Sequence, residues 1–220
     1  MGSITRSFAN NIGSSGILLA SAVTNTTVED VTSFDNAVVS ATLVLLSTQT
    51  ASASANISFT TGLNSTYDEY IFKFINIHPA SDGEHLTFNM STDSGSNYNV
   101  TKTTTYFRAY HGEDGSEGIL EYATAHDLAQ STSFQNLGIQ IGNDNDQNCS
   151  GFLTLFNPSS TTYVKHFIST AQVSNNTDLS LVGYIAGYGN TTSAVNAIQF
   201  KMSSGNIDDG IIKMYGVRKS

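Results

Sequence analysis

The chain has 220 residues and a single cysteine, Cys149, so no internal disulfide is available. A disulfide-stapled fold is excluded, and Cys149 reads as a small buried filler. Ionic groups are scarce, at 12% of residues, and basic ones scarcer still. Nine Lys and Arg stand against 18 Asp and Glu, a formal net charge of −9. An acidic chain without a basic cluster argues against direct grip on a nucleic-acid backbone, and no nucleic-acid partner is expected. Long hydrophobic runs are missing too. AVVSATLVLL is interrupted by Ser and Thr, and no stretch reaches the roughly 18 apolar residues that span a bilayer. The opening MGSITRSFANNIGSSG carries no apolar signal core, and Arg6 stands where an N-myristoylation pattern needs Ser or Thr. The expectation is a protein made in a cytoplasm that stays soluble or joins an assembly, without membrane insertion.

Catalytic signatures are absent as well. There is no G-x-S-x-G elbow, P-loop or dinucleotide fingerprint. The five histidines (His78, His85, His111, His126 and His166) do not stand at zinc-binding helical spacing. The pairs Asp68–Glu69, Glu113–Asp114 and Asp208–Asp209 are sequence neighbours, which an extended chain points to opposite sides. GNDNDQNCSG (142–151) makes Asp144 and Asp146 a weak cation candidate. Cys149 occupies the position where an EF-hand loop needs glycine, and a polar turn explains the stretch equally well. No cofactor is expected.

What the chain does have is small neutral polarity (Ser, Thr, Asn and Gly) and many short apolar segments between turn clusters. ATLVLLS (41–47), ISFT (57–60), DEYIFKFINI (68–77) and HLTFNMS (85–91) read as strands. So do SGFLTLFN (150–157), YVKHFIST (163–170), SLVGYIAGY (180–188), AIQFKMS (197–203) and GIIKMYGV (210–217). In 68–77, apolar residues fall on both sides of the alternation, which predicts a strand buried on both faces. In 85–91, Leu86, Phe88 and Met90 face one way, Thr87 and Asn89 the other. TQTASASA between the first two segments is a low-complexity stretch. Residues 113–135 are the least strand-like, and EYATAHDLAQS is either a short helix or an ordered loop.

About ten strands with no alternating helices predict an all-β fold, an antiparallel β-sandwich of jelly-roll type. Ile4, Phe8 and Ile12 recur every four residues, which predicts a short N-terminal helix ended by Gly13. Two turns of helix cannot stand alone, so this arm must pack on its own domain or on a partner. The expected organisation is an arm over 1–40, possessing one or two short strands after residue 16, and a sandwich over 41–220. Aromatics cluster in TTTYFRAYHGEDGSEG. Tyr106, Arg108, Tyr110 and His111 are therefore the candidates for a glycan-binding or interface surface; the alternative is that these aromatics cap one end of the sandwich.

ITRSFANNIGSSG, NSTYDEYIFKFINIHP, STDSGSNY and AVNAIQFKMSSGNIDDGIIKMYGV together resemble β-sandwich structural proteins of tailed bacteriophages, of the marine and cyanobacterial type. The resemblance implies a non-enzymatic virion structural protein, a capsid decoration or cement protein or a small fibre or spike. It carries no active site across. It implies virion proteins of capsid or tail as partners, met through Ile4, Arg6, Phe8 and Ile12 of the arm. It also implies a homo-oligomer, with a trimer as the expectation. The alternatives are a carbohydrate-binding adhesin for a host surface glycan and, behind it, a glycan depolymerase.

Overall fold

The computed structural model describes residues 42–115 and 117–219. The predicted arm, with Ile4, Arg6, Phe8 and Ile12, and the short strands expected between 16 and 42 lie outside the described residues. Within them the fold is all-β. In chain order the strands are β1 (Leu43–Ser54), β2 (Ile57–Phe59), β3 (Glu69–Pro79), β4 (Glu84–Ser91), β5 (Lys102–Gly112) and β6 (Gly118–Tyr122). They continue with β7 (Gln135–Ile141), β8 (Cys149–Phe156), β9 (Lys165–Ser174), β10 (Leu179–Gly189), β11 (Ala197–Met202) and β12 (Ile207–Val217). No described residue is helical, so the 113–135 segment resolves as β6 followed by an ordered loop.

Two antiparallel sheets form: β1-β12-β3-β8-β9-β10-β5-β6, and the smaller β2-β11-β4-β7. With the meander β8–β9–β10 taken as one element, β2 to β11 follow the strand order of a jelly roll. The small sheet is β2-β11-β4-β7, and the large one is β3, then the meander, then β5-β6. β12 and β1 extend the large sheet beyond β3. The closing strand β12 thus sits between β1 and β3 and is paired on both sides.

The core lies between the sheets. Phe88, Met90, Ile198 and Phe200 of the small sheet face Phe72, Leu153, Phe167 and Ile185 of the large one, and all are buried. The rings of Phe88 and Phe167 meet edge to face at 5.0 Å, and those of Phe59 and Phe72 at 5.5 Å. Each such side chain contributes roughly 1.5–3 kcal/mol on burial.

Three expectations need correction. β3 is not buried on both faces: Tyr70, Phe72 and Phe74 are in the core, but Ile75 is exposed on the outer face. Ile77 returns to the core because Asn76 adopts a left-handed φ of 50° in a bulge that resets the alternation. The facing bulge on β12 requires Gly210 (φ 128°), where a Cβ would stand 2.8 Å from the Asn76 carbonyl oxygen. Second, TQTASASA is no separate stretch but belongs to β1, which β12 pairs along its length. Third, Thr87 and Asn89 alternate with the core residues as expected yet are themselves buried. Asn89 Nδ2 donates to the carbonyls of Tyr98 and Thr132, so neighbouring loop segments cover that position.

Candidate functional site

In an antiparallel sheet with one face on a core, the other face normally carries polar side chains. The outer face of β6, β5, β10, β9 and β8 departs from that rule. Cross-strand register places Tyr122, Phe107, Tyr184, Thr170 and Phe152 in one row. Thr105, Ala186, Ile168 and Thr154 form the row on one side, and Leu120, Ala109, Val182 and Gln172 the row on the other. The Phe107 and Tyr184 rings stack at 5.1 Å and 18°. Leu120 is 74% exposed. None of these outward residues is Asp, Glu, Lys or Arg, whereas the same face carries Lys73, Glu69 and Lys213 on β3 and β12.

At the far end of this face Thr103, Tyr188, His166 and Phe156 line up. A groove of about 460 Å³ runs there between Phe156, His166, Ile168 and Tyr188. A second one, of about 470 Å³, shares Phe156 and His166 and is walled by Tyr163 and Val164. The His166 and Tyr188 rings lie 6.1 Å apart. Such a surface can stack on a planar or sugar-like ring, or bury itself against another protein.

The four residues predicted as a surface do not converge. They lie on the regular strand β5, not in an irregular segment, and successive side chains point to opposite faces. Tyr106 is fully buried and donates its hydroxyl to the Leu137 carbonyl at 3.1 Å, so it is not a surface residue. Arg108 shares that inner side. It pairs with Glu121 at 2.7 Å and lies 5.2 Å from the centre of the Tyr110 ring, and Tyr110 packs against the core. Only His111 is exposed, on the opposite face. The exposed aromatic neighbour is Phe107, which belongs to the same sequence cluster but is not among the four candidates.

The cation candidate Asp144 and Asp146 lies in a turn. Gln147 N–H donates to the Asp144 carbonyl at 2.9 Å, and His78 Nε2 approaches the same carbonyl at 3.2 Å. Among the described residues no group of three or more His, Cys, Asp or Glu is placed to hold a metal ion. Cys149 is buried, and burial pushes its thiol well above the ordinary range, so it is packing, not a nucleophile.

Sequence reading also missed two clusters, one half-buried and one interior. His85 and His126 meet edge to face at 5.4 Å, at the ends of contacts from β4 and the loop after β6. Gln140 N–H donates to His85 Nδ1, and Asn136 Nδ2 to His126 Nδ1, each at 2.9 Å. Burial lowers the pKa of both rings; for His126, His85 and the Arg108 guanidinium push the same way. In the second cluster, Lys102 and Lys165 flank Gly189 across β5, β10 and β9, and both are buried. Lys102 Nζ donates to Asn89 Oδ1 at 2.6 Å and to the Val100 carbonyl at 2.9 Å. Its pKa is pushed down to about 7 by burial. Lys165 Nζ donates to the carbonyls of Tyr163 and Thr191, and its pKa is lowered for the same reason. No local motif marks either cluster, because both assemble from strands far apart in the chain.

Among the described residues no helix is long and apolar enough to cross a membrane. Comparison with protein-family models, with curated proteins and with solved structures finds no match to this chain.

Proposed function

We propose that the chain is a non-enzymatic structural protein of a tailed-bacteriophage particle, held on the particle surface as a capsid decoration or small fibre and anchored by its N-terminal segment. The observation that supports a contact role is the uncharged aromatic outer face of β6, β5, β10, β9 and β8. A jelly roll that exposes Phe107, Leu120, Tyr122 and Ile168 to water carries a cost in solubility, which a protein contact recovers. The phage setting comes from the resemblance in the strand around Tyr67, Asp68 and Tyr70 and in the closing segment 203–216. Electron microscopy of intact particles bearing a labelled chain tests it. Density for the label on head or tail is expected, and its absence from purified particles sinks the proposal. Deleting residues 1–15 is expected to abolish attachment while leaving the sandwich folded; normal incorporation of that deletion removes the anchoring role.

A second reading is favoured by the groove at Tyr188, Phe156, His166 and Tyr163: a glycan-binding adhesin. Tyr163 is 71% exposed, as a stacking platform needs, and His166 supplies a hydrogen-bonding edge. Binding on a glycan array that is lost in both Tyr163→Ala and Tyr188→Ala supports this reading. Release of reducing ends from a host polysaccharide would instead make the protein an enzyme and overturn the non-enzymatic proposal.

A further inference from the structure

We infer that the apolar half of the outer face, centred on the stacked pair Phe107 and Tyr184, is the surface on which a second copy of this chain docks, sheet against sheet. The inference deepens the contact-protein reading of that face and does not depend on where the protein resides.

Area is the first argument. Phe107, Leu120, Tyr122, Phe152, Ile168 and Tyr184 together expose the equivalent of about three whole residues, about 600 Å² at roughly 200 Å² each. That is already the upper end of the largest apolar patch on a typical monomer. With Ala109, Val182, Thr170 and Gln172 between them, the patch reaches the roughly 800 Å² per partner that stable protein interfaces bury. A sugar ring covers a small fraction of this, so the groove at Tyr188 and the Phe107 patch suit occupants of different size.

Charge is the second argument, and it selects a copy of the same chain. Each molecule carries a formal −9, so two copies repel unless they meet where charge is absent. Among the described residues, the outward side chains of β6, β5, β10, β9 and β8 include no Asp, Glu, Lys or Arg, and charge returns on the same face on β3 and β12, at Lys73, Lys213 and Glu69. An interface of this kind has an apolar aromatic centre and a charged rim. Because the patch is one continuous surface, a two-fold axis through it brings it onto itself, the commonest closed arrangement. Twisted sheets pack face to face at about 10 Å, which the projecting rings of Phe107 and Tyr184 fill.

Sedimentation velocity on the full chain over about 0.1–100 µM tests the inference, a range that reaches above the micromolar, weak end of affinities for interfaces this size. The wild type is expected to sediment as a species of twice 23.5 kDa. Leu120→Asp and Tyr184→Asp each place two like charges across the axis and are expected to weaken association at least about 100-fold. Leu45→Asp, on the same face but at the far edge strand β1, is expected to leave it unchanged. Melting curves check that the variants fold; Leu120 is mostly in solvent on the edge strand β6, so its substitution removes nothing from the core. A monomeric wild type across the range overturns the inference. So does association that survives both Asp substitutions, including a trimer built on another face. A chain that dimerises but never attaches to particles sinks only the particle proposal; a monomer that attaches sinks only this one.

Discussion

Lys102 offers a quantitative test of the interior. Among the described residues its ammonium has no carboxylate partner, only Asn89 Oδ1 and the Val100 carbonyl, and it is sealed from water. Burial disfavours the charged form, so the group titrates at about 7 in the folded protein against an ordinary 10.5. Between those values the unfolded chain holds a proton that the folded one has lost, so stability rises with pH. The linkage costs the folded state about 4 kcal/mol at pH 7 and about 1.4 kcal/mol at pH 9.5. Unfolding free energy therefore gains about 3 kcal/mol across that window from this one side chain. The perturbation is Lys102→Met, which keeps the length and apolar stem and removes the titration. The assay is urea unfolding of both proteins at several pH values from 7 to 9.5. Cys149, whose thiol is pushed up by burial, favours unfolding as pH rises, but it is common to both proteins and cancels in the difference. The stability difference, wild type minus variant, is expected to climb by about 3 kcal/mol with pH. A difference that stays flat would refute the claim that a lysine is buried without a countercharge.

Other outcomes follow from the same geometry. Lowering the pH from 7 to 5 is expected to destabilise the fold, because His85 and His126 have lowered pKa values and the unfolded chain takes up their protons first; His85→Gln and His126→Gln should flatten that slope in pH-dependent melts. Tyr106→Phe is expected to cost about 1–2 kcal/mol in chemical unfolding, through loss of the hydroxyl bond to the Leu137 carbonyl. Gly151→Ala should be more severe, about 2–4 kcal/mol, since the new Cβ would overlap the Thr170 carbonyl oxygen and stand 2.9 Å from Ala171 Cα, backbone that cannot turn aside.

Strand-forming segments were legible because period-two alternation is a local property. β2, β3, β4, β8 and β12 lie close to where their apolar runs place them, and the many short strands with few charges were enough for an antiparallel sandwich. Segments whose own composition is ambiguous were not legible. β5 begins with Lys and three Thr, and β7 contains a glycine; β5 becomes a strand because β10 and β6 pair with it on both sides, and β7 because β4 does on one. Burial of β3 on both faces was misjudged because alternation alone cannot say whether a second layer covers the outer side. The same limit hid the candidate site. Tyr106 and Phe107 are adjacent aromatics of nearly equal hydrophobicity, and which one enters the core depends on register against β10. That register is set by pairing across more than seventy residues of chain, and it alone puts Tyr106 under Leu137 and Phe107 beside Tyr184 in solvent. The amino-acid order by itself thus determined the layers, since apolar alternation needs no distant partner. Only the tertiary structure decided which aromatics form the contact face, which lysines lie buried and which histidines pair, because those outcomes belong to strands that meet only in the folded sheet.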